Sequence, residues 1–219
     1  METQSNSLRS PPANCGGIVL CGGKSSRMGT PKALLPFGPE RMLQRVVRLL
    51  GEAVRPIVVV AAADQELPEL PPEVVVSRDR REYRGPLEGL AGGLAALGES
   101  CEAAYATACD VPFLRPEFVR RMIELLGDHE IAIPLADGFH HPLAAVYRTR
   151  VRPQIDRLLA ADRLRPVFLY ELVRTREISA EELLDVDPEL KTLRNLNRPE
   201  DYRAALEAAK LAGGEAPTG

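Results

Sequence analysis

Residues 17–38 read GIVLCGGKSSRMGTPKALLPFG. The stretch opens with a short β-branched apolar run, which is typical of a buried strand, and continues into a loop with paired glycines. Glycine lets main-chain amides approach an anion closely, while two serines, Arg27 and Lys32 add donors and positive charge. A loop at the carboxyl end of a first strand is where ligands gather in open α/β sheets. The stretch therefore predicts an anion site, which a triphosphate would satisfy.

Two familiar phosphate-binding loops do not match this stretch. Lys24 and Ser25 follow Gly23, but Ile18 stands where G-x-x-x-x-G-K-[ST] requires its first glycine, and the spacing G-x-G-x-x-G is missing from the loop. A flexible glycine turn with solvated Arg27 and Lys32 is an equally good interpretation of the loop alone. The rest of the chain has to decide between the two.

Short apolar runs alternate with helical patterns along the remaining sequence, which favours right-handed βαβ crossovers. Strands are predicted at 17–21, 56–62, 73–77, 103–108, 131–135 and 143–148, and helices at 41–53, 86–98, 116–127, 151–162, 166–173 and 199–212. The prediction is a three-layer, Rossmann-like α/β fold with a mostly parallel sheet. We expect one domain over 15–212, with disordered tails at 1–14 and 213–219, because the tails are rich in small and polar residues.

Composition narrows the classes of partner. The net charge of -3 provides no basic field for nucleic acid or an anionic membrane. The four cysteines lack C-x-x-C spacing, so we expect reduced thiols and no structural zinc. The polar amino terminus lacks the apolar core of a signal peptide, and no later run has the length of a membrane span. We expect a cytoplasmic protein.

A triphosphate in the loop would need a divalent cation and a carboxylate at the end of a neighbouring strand. The segment ATACDVPFL places Asp110 directly after a predicted strand. An aspartate before Val-Pro is also a common turn former, and by itself it would favour that interpretation. Together with the loop it predicts a Mg²⁺ ligand.

The run LCGGKSSRMGTPKALLPFG resembles the signature of nucleotidyltransferases that activate sugars, isoprenoid precursors and molybdopterin, and it is most similar to the molybdenum cofactor guanylyltransferase family. The chain has Cys21 where that family usually has alanine. The resemblance implies a nucleotidyltransferase fold and catalytic roles for Arg27, Lys32 and Asp110, with Asp110 holding Mg²⁺. It also implies a set of nucleotide-binding residues: Leu20, Cys21, Gly22, Gly23, Lys32, Asp79 and Asp110.

Three further segments follow in the order that the family has them. SRDRREYRGPLEGL carries Asp79, which the resemblance places in the nucleotide site, although a surface charge cluster is the alternative. Its Glu88 stands where the family usually has a small residue, which bears on base selectivity. HHPLAAVYR and TLRNLNRPEDY put His141, Asn195 and Asn197 on the acceptor side. A polar residue at a strand end and a cap on the last helix are their structural alternatives.

The resemblance implies transfer of GMP from GTP to the terminal phosphate of molybdopterin, with release of pyrophosphate and transient contact with proteins of cofactor biosynthesis. Two rivals stay open. A cytidylyltransferase of the same fold usually shows A-A-G where this chain has Cys21, Gly22 and Gly23, so the second glycine favours guanine. A nucleotide-binding module without turnover would have lost Lys32 or Asp110, and both are present.

Overall fold

A computed structural model of the chain describes residue 12 and residues 14–21, 31–78 and 84–213. The strands are β1 (Cys15–Leu20), β2 (Pro36–Phe37), β3 (Glu40–Arg41), β4 (Ile57–Ala61), β5 (Val75–Arg78), β6 (Ala103–Ala108), β7 (Ile131–Ala136), β8 (Phe139–His140), β9 (Ala144–Arg148) and β10 (Thr175–Ser179). The helices are α1 (Met42–Gly51), α2 (Pro86–Leu97), α3 (Pro116–Leu126), α4 (Arg152–Ala160), α5 (Val167–Tyr170) and α6 (Pro199–Gly213).

The sheet is mixed but mostly parallel, as predicted. Its strand order is β10-β7-β9-β6-β1-β4-β5, with β8 paired to β7, while β2 and β3 form a separate two-stranded ribbon. Strand β9 runs antiparallel to both of its neighbours, β6 and β7. From β1 the chain builds outward through β4 to β5 and then returns to β6 on the other side of β1. The carboxyl ends of β1 and β6 therefore form the topological switch point, where α/β sheets bind ligands.

Helices cover both faces of the sheet because side chains alternate along each strand. On one face, Val19 packs with the apolar side of α1, including Val46 and Leu50, and with α3. On the other face, Ile18 and Leu20 pack with α2 and α4. The central strands are buried on both sides, which explains their continuous apolar sequence. The three-layer prediction is confirmed.

Two predicted elements differ most from the structure, and four strands were not predicted: the two-residue strands β2, β3 and β8, and the longer β10. The predicted helix over 166–173 is a single turn at Val167–Tyr170, and the predicted strand over 73–77 begins at Val75. Strand β10 was not predicted because Ile178 is the one residue of its TREIS sequence that is buried. Its neighbours are polar, so the alternation that identifies a strand is weak. Within the described ranges, no helix combines the length and the apolar character needed to cross a membrane.

Helix α2 packs very closely on β1 because glycines face the strand. A Cβ atom added to Gly93 would lie 2.5 Å from Cγ2 of Ile18. Gly93→Ala is therefore expected to lower the free energy of unfolding by about 1–3 kcal/mol, measured by urea denaturation, because the added methyl overfills the contact. Gly51→Ala is the matched control, since its Cβ would meet Cδ1 of Ile57 at an ordinary 3.5 Å. Equal effects of the two substitutions would contradict this explanation.

Candidate functional site

The switch point brings two predicted site residues together. Leu20 and Ala108 are partners in the β1–β6 register, and the N–H of Cys109 donates to the Leu20 carbonyl over 3.1 Å. The segments that follow the two strands are therefore side by side. Lys32 lies on a short 3-10 turn beyond the glycine loop, and its Nζ is 2.6 Å from Oδ2 of Asp110. The structure thus places the loop lysine against the acid that follows β6.

The segment before α6 closes this site from a third side. The N–H of Leu196 donates to the Asp110 carbonyl over 3.0 Å, and Nδ2 of Asn195 donates to Oδ1 of Asp110 over 2.7 Å. Nζ of Lys32 also donates to Oδ1 of Asn197 over 3.0 Å. Both asparagines therefore contact the Lys32–Asp110 pair directly. Sequence reasoning placed them on the acceptor side, and it did not identify these contacts.

The side chain of Asn197 contacts Lys32, and the hydrogen bonds at the start of the last helix are made by Asp201 instead. Oδ2 of Asp201 accepts the N–H groups of Asn197 and Arg198, over 3.2 and 2.9 Å. An acidic residue in the first turn is a favourable partner for these main-chain donors. The Asn197 side chain accordingly faces Lys32.

The Lys32–Asp110 pair is largely shielded from water. Asp110 is 6% exposed, and the Lys32 side chain is 20% exposed. Partial removal from water strengthens a charge–charge contact relative to a surface pair and makes an uncompensated charge costly. The two side chains consequently compensate each other's charge at the switch point.

Residues of β4, of the segment after it and of the end of β5 hold the start of the glycine loop. Nε2 of Gln65 donates to the Cys21 carbonyl over 3.1 Å, and the N–H of Cys21 donates to the Val60 carbonyl over 2.8 Å. Arg78 in turn donates to the carbonyls of Ala62 and Gln65, over 3.0 and 2.7 Å. The sequence gives no signal for these roles, because each depends on strands that become neighbours only in the fold.

Cys21 and Cys109 directly follow β1 and β6, whose ends are joined by the hydrogen bond from the Cys109 N–H to the Leu20 carbonyl. Both residues are buried, and all four cysteines are free. The neighbouring Cys109 side chain and the burial both raise the pKa of the Cys21 thiol well above its usual value. Cys21 is therefore a protonated, apolar neighbour of the loop, which fits its place at a position that is usually alanine in the family.

Cys21 is expected to resist alkylation in the native protein. A thiol whose pKa is raised well above its ordinary value carries much less thiolate at pH 8.5 than the same thiol in the unfolded chain. Peptide mapping by mass spectrometry after iodoacetamide treatment should show labelling of Cys21 slowed by at least about tenfold relative to the urea-unfolded chain. Labelling of the native protein at the unfolded rate would contradict the raised pKa.

His141 lies at the same edge of the sheet, just before β9. A cavity of about 220 Å³ lies beside it. The cavity is lined by residues 140–144 and, from a later segment, by Thr192, Leu193 and Asn195. The Tyr147 hydroxyl donates to the Pro142 carbonyl over 2.9 Å and fixes the loop. Burial lowers the pKa of His141 below its ordinary value, so its imidazole is neutral at pH 7. The cavity and the Lys32–Asp110 pair share Asn195 as a common wall.

Glu88, the departure from the family pattern, lies in the first turn of α2. Its Oε2 is 3.5 Å from Nε of Arg84, and Nη2 of Arg84 also donates to the Leu159 carbonyl over 2.7 Å. The Glu88 carboxylate therefore has a cationic neighbour. The remaining predicted site residues, Gly22, Gly23, Arg27 and Asp79, lie outside the described residues.

The residues at the switch point fit a hard divalent cation whose other ligands are waters and substrate phosphates. In the part of the chain that the structure describes, no group of three or more His, Cys, Asp and Glu side chains could hold a metal ion. Mg²⁺ is usually bound through one or two carboxylates, waters and substrate phosphates rather than by a complete protein cage. The single shielded carboxylate of Asp110 meets that requirement.

A doubly wound sheet with a lysine, a carboxylate and two amides at its switch point defines a nucleotide-binding α/β domain. The chain belongs to the family of MobA-like NTP transferase domains, whose sequence model matches residues 17–176. The resemblance predicted from the glycine loop is thereby confirmed, and the nucleotidyltransferase fold with it.

Individual relatives agree with this assignment. A probable molybdenum cofactor guanylyltransferase of Mycobacterium avium is 36% identical over 197 residues, which cover 88% of this chain and 95% of the relative. The crystal structure of molybdopterin-guanine dinucleotide biosynthesis protein A from Archaeoglobus fulgidus has a TM-score of 0.75 at 20% identity, covering 90% of this chain and 99% of that one. A Mycobacterium tuberculosis protein solved in complex with manganese, at 20% identity, has a TM-score of 0.59 and covers 90% and 100% of the two chains.

Proposed function

We propose that the protein transfers GMP from GTP to the terminal phosphate of a molybdopterin acceptor and releases pyrophosphate. The observation that carries the proposal is the Lys32–Asp110 pair at the switch point, with Nζ and Oδ2 2.6 Å apart and the two asparagines beside it. The names of the relatives supply the substrates. The guanylyltransferase of M. avium matches over nearly its whole length.

The reaction needs alignment and charge stabilisation more than proton transfer. A phosphate oxygen of the acceptor, already ionised at neutral pH, attacks the α-phosphorus of GTP. The new P–O bond forms as the bond from the α-phosphorus to the bridging oxygen breaks, and pyrophosphate leaves with the electron pair. No general base is therefore required. The site agrees with this, because it offers the ammonium of Lys32, two side-chain amides and the Asp110 carboxylate.

Each described residue has a defined task in this proposal. Lys32 contacts the α-phosphate and stabilises the negative charge that develops on it. Asp110 holds Mg²⁺, which when bound neutralises phosphate charge and fixes the geometry of the triphosphate. The main chain at Leu20 and Cys21, held by Gln65, presents the start of the loop to the nucleotide. Asn195 and Asn197 orient Asp110 and Lys32.

The acceptor is proposed to bind in the cavity beside His141. The cavity shares Asn195 with the Lys32–Asp110 pair, so a phosphate at its mouth would lie next to the α-phosphorus. The neutral imidazole of His141 can donate a hydrogen bond without adding charge. Outside the described residues, Gly22 and Gly23 are proposed to contact the nucleotide, Arg27 the leaving pyrophosphate, and Asp79 the nucleoside.

A pyrophosphate-release assay tests the proposal. The full chain is incubated with Mg²⁺, molybdopterin and one of GTP, CTP, ATP or UTP. Release of pyrophosphate should require both GTP and molybdopterin, and the product should contain both GMP and the pterin. Release with CTP in place of GTP would identify a cytidylyltransferase. Binding of nucleotide without release in any combination would identify a module without turnover.

A further inference from the structure

Both carboxylate oxygens of Asp110 already have protein partners. Oδ1 accepts a hydrogen bond from Nδ2 of Asn195 over 2.7 Å, and Oδ2 lies 2.6 Å from Nζ of Lys32. The carboxylate is nearly buried, so neither partner can be replaced by bulk water without a change in the site. A cation that binds Asp110 directly must therefore share an oxygen with one of these two groups or displace it.

Asn195 is the partner with less freedom to leave. The next residue, Leu196, donates its N–H to the Asp110 carbonyl over 3.0 Å and ties the two segments together. Upstream, the buried Asp187 carboxylate accepts the N–H groups of Lys191 and Thr192, over 3.1 and 2.8 Å. The short asparagine side chain is thus carried on a segment that is fixed at both ends.

Lys32 is the partner that can exchange. Its ammonium sits at the end of a flexible four-carbon stem, and its side chain is more exposed than that of Asp110, at 20% against 8%. A cation on Oδ2, about 2.0–2.1 Å away for Mg²⁺, would lie close to the Lys32 ammonium, and the two positive charges would repel each other. The ammonium therefore weakens the binding of a cation at Oδ2 as long as it stays there.

We propose that Lys32 and the divalent cation compete for Asp110 Oδ2, so that the cation binds Asp110 tightly only when a triphosphate draws Lys32 away. This inference rests on the proposed function, because the triphosphate supplies the replacement partner for the lysine. The ion pair keeps the acid satisfied while the site is without nucleotide. The cation is then bound tightly together with the nucleotide and not before it.

Direct Mn²⁺ binding to the full chain without nucleotide tests the exchange. Free Mn²⁺ is quantified by electron paramagnetic resonance for the wild type, Lys32→Met and Lys32→Gln. Lys210→Met is the matched control, since it removes the same charge from an exposed lysine that pairs with Glu207 on α6. Both Lys32 variants should bind Mn²⁺ about 10-fold or more tightly than the wild type, and Lys210→Met should not differ from it.

The outcomes separate the exchange from the proposed function. Equal Mn²⁺ affinity in the wild type and in both Lys32 variants would overturn the exchange and leave the metal assignment of Asp110 standing. Absence of Mn²⁺ binding in all variants, even with the α,β-methylene analogue of GTP, would overturn the exchange and the metal assignment together. Thermal melting of each variant shows whether it is folded, and the glutamine variant retains a polar side chain should methionine disturb the site.

Discussion

Lys32→Ala is expected to lower the rate of nucleotidyl transfer by about two to four decades. One charge–charge contact between the ammonium and a phosphate contributes roughly 4 kcal/mol at an effective dielectric near 20, which corresponds to about three decades if it acts in the transition state. The measurement is steady-state turnover with saturating GTP, Mg²⁺ and molybdopterin. Saturation matters because a loss confined to binding would then leave turnover unchanged.

The fold should survive this substitution because Asp110 keeps two other contacts, with Asn195 and with the N–H of Leu196. Lys210→Ala is the control for loss of one positive charge, and its turnover should equal that of the wild type. A thermal melt of Lys32→Ala that stays cooperative would assign the loss of rate to the site. Wild-type turnover in a folded Lys32→Ala protein would remove Lys32 from the mechanism.

The core of the fold could be predicted because its signals are local. Strands β1, β4 and β6 are buried on both faces, so each appears in the sequence as an uninterrupted apolar run. Helix α1 presents its apolar residues at helical spacing, and all of those on that face are buried. Strand β10 shows the limit of this reasoning. Its place is set by main-chain pairing with β7, and its mostly polar side chains give little sequence signal of that pairing.

The part of the candidate site that follows directly from the ends of strands could be predicted from the sequence. A glycine loop after β1 and an acid after β6 predicted that Lys32 and Asp110 would meet, and the structure brings them together. The hydrogen bond from the Cys109 N–H to the Leu20 carbonyl and the contact of Gln65 with the loop both depend on which strands are neighbours. Strand order is a property of the whole chain, which no local pattern encodes.

The two asparagines show the same limit for residue roles. The resemblance identified Asn195 and Asn197 as site residues on the acceptor side, but it did not predict their contacts within the protein. In the structure their side chains contact Asp110 and Lys32. An amide can donate and accept, so its residue type is compatible with a substrate, a carboxylate or an ammonium. Only the geometry distinguishes among these partners.

Asp110→Asn is expected to lower transfer by about two to three decades at low Mg²⁺ concentration, with a partial recovery as Mg²⁺ is raised. The substitution keeps the shape of the side chain but removes the charge that a hard cation needs. It also turns an amide toward Nζ of Lys32, where the native oxygen accepts a hydrogen bond over 2.6 Å. The measurement is turnover as a function of Mg²⁺ concentration.

Recovery with added metal distinguishes a ligand from a residue that merely supports the fold. A misfolded variant would lose activity at every Mg²⁺ concentration, whereas a weakened ligand shifts the dependence on the metal. Asp128→Asn is the matched control, because this exposed carboxylate pairs with Arg174 on the surface, away from the switch point. Its Mg²⁺ dependence should equal that of the wild type. Wild-type turnover of Asp110→Asn at low Mg²⁺ would show that other groups hold the cation. The role of the buried Asp110 carboxylate would then be to pair with Lys32.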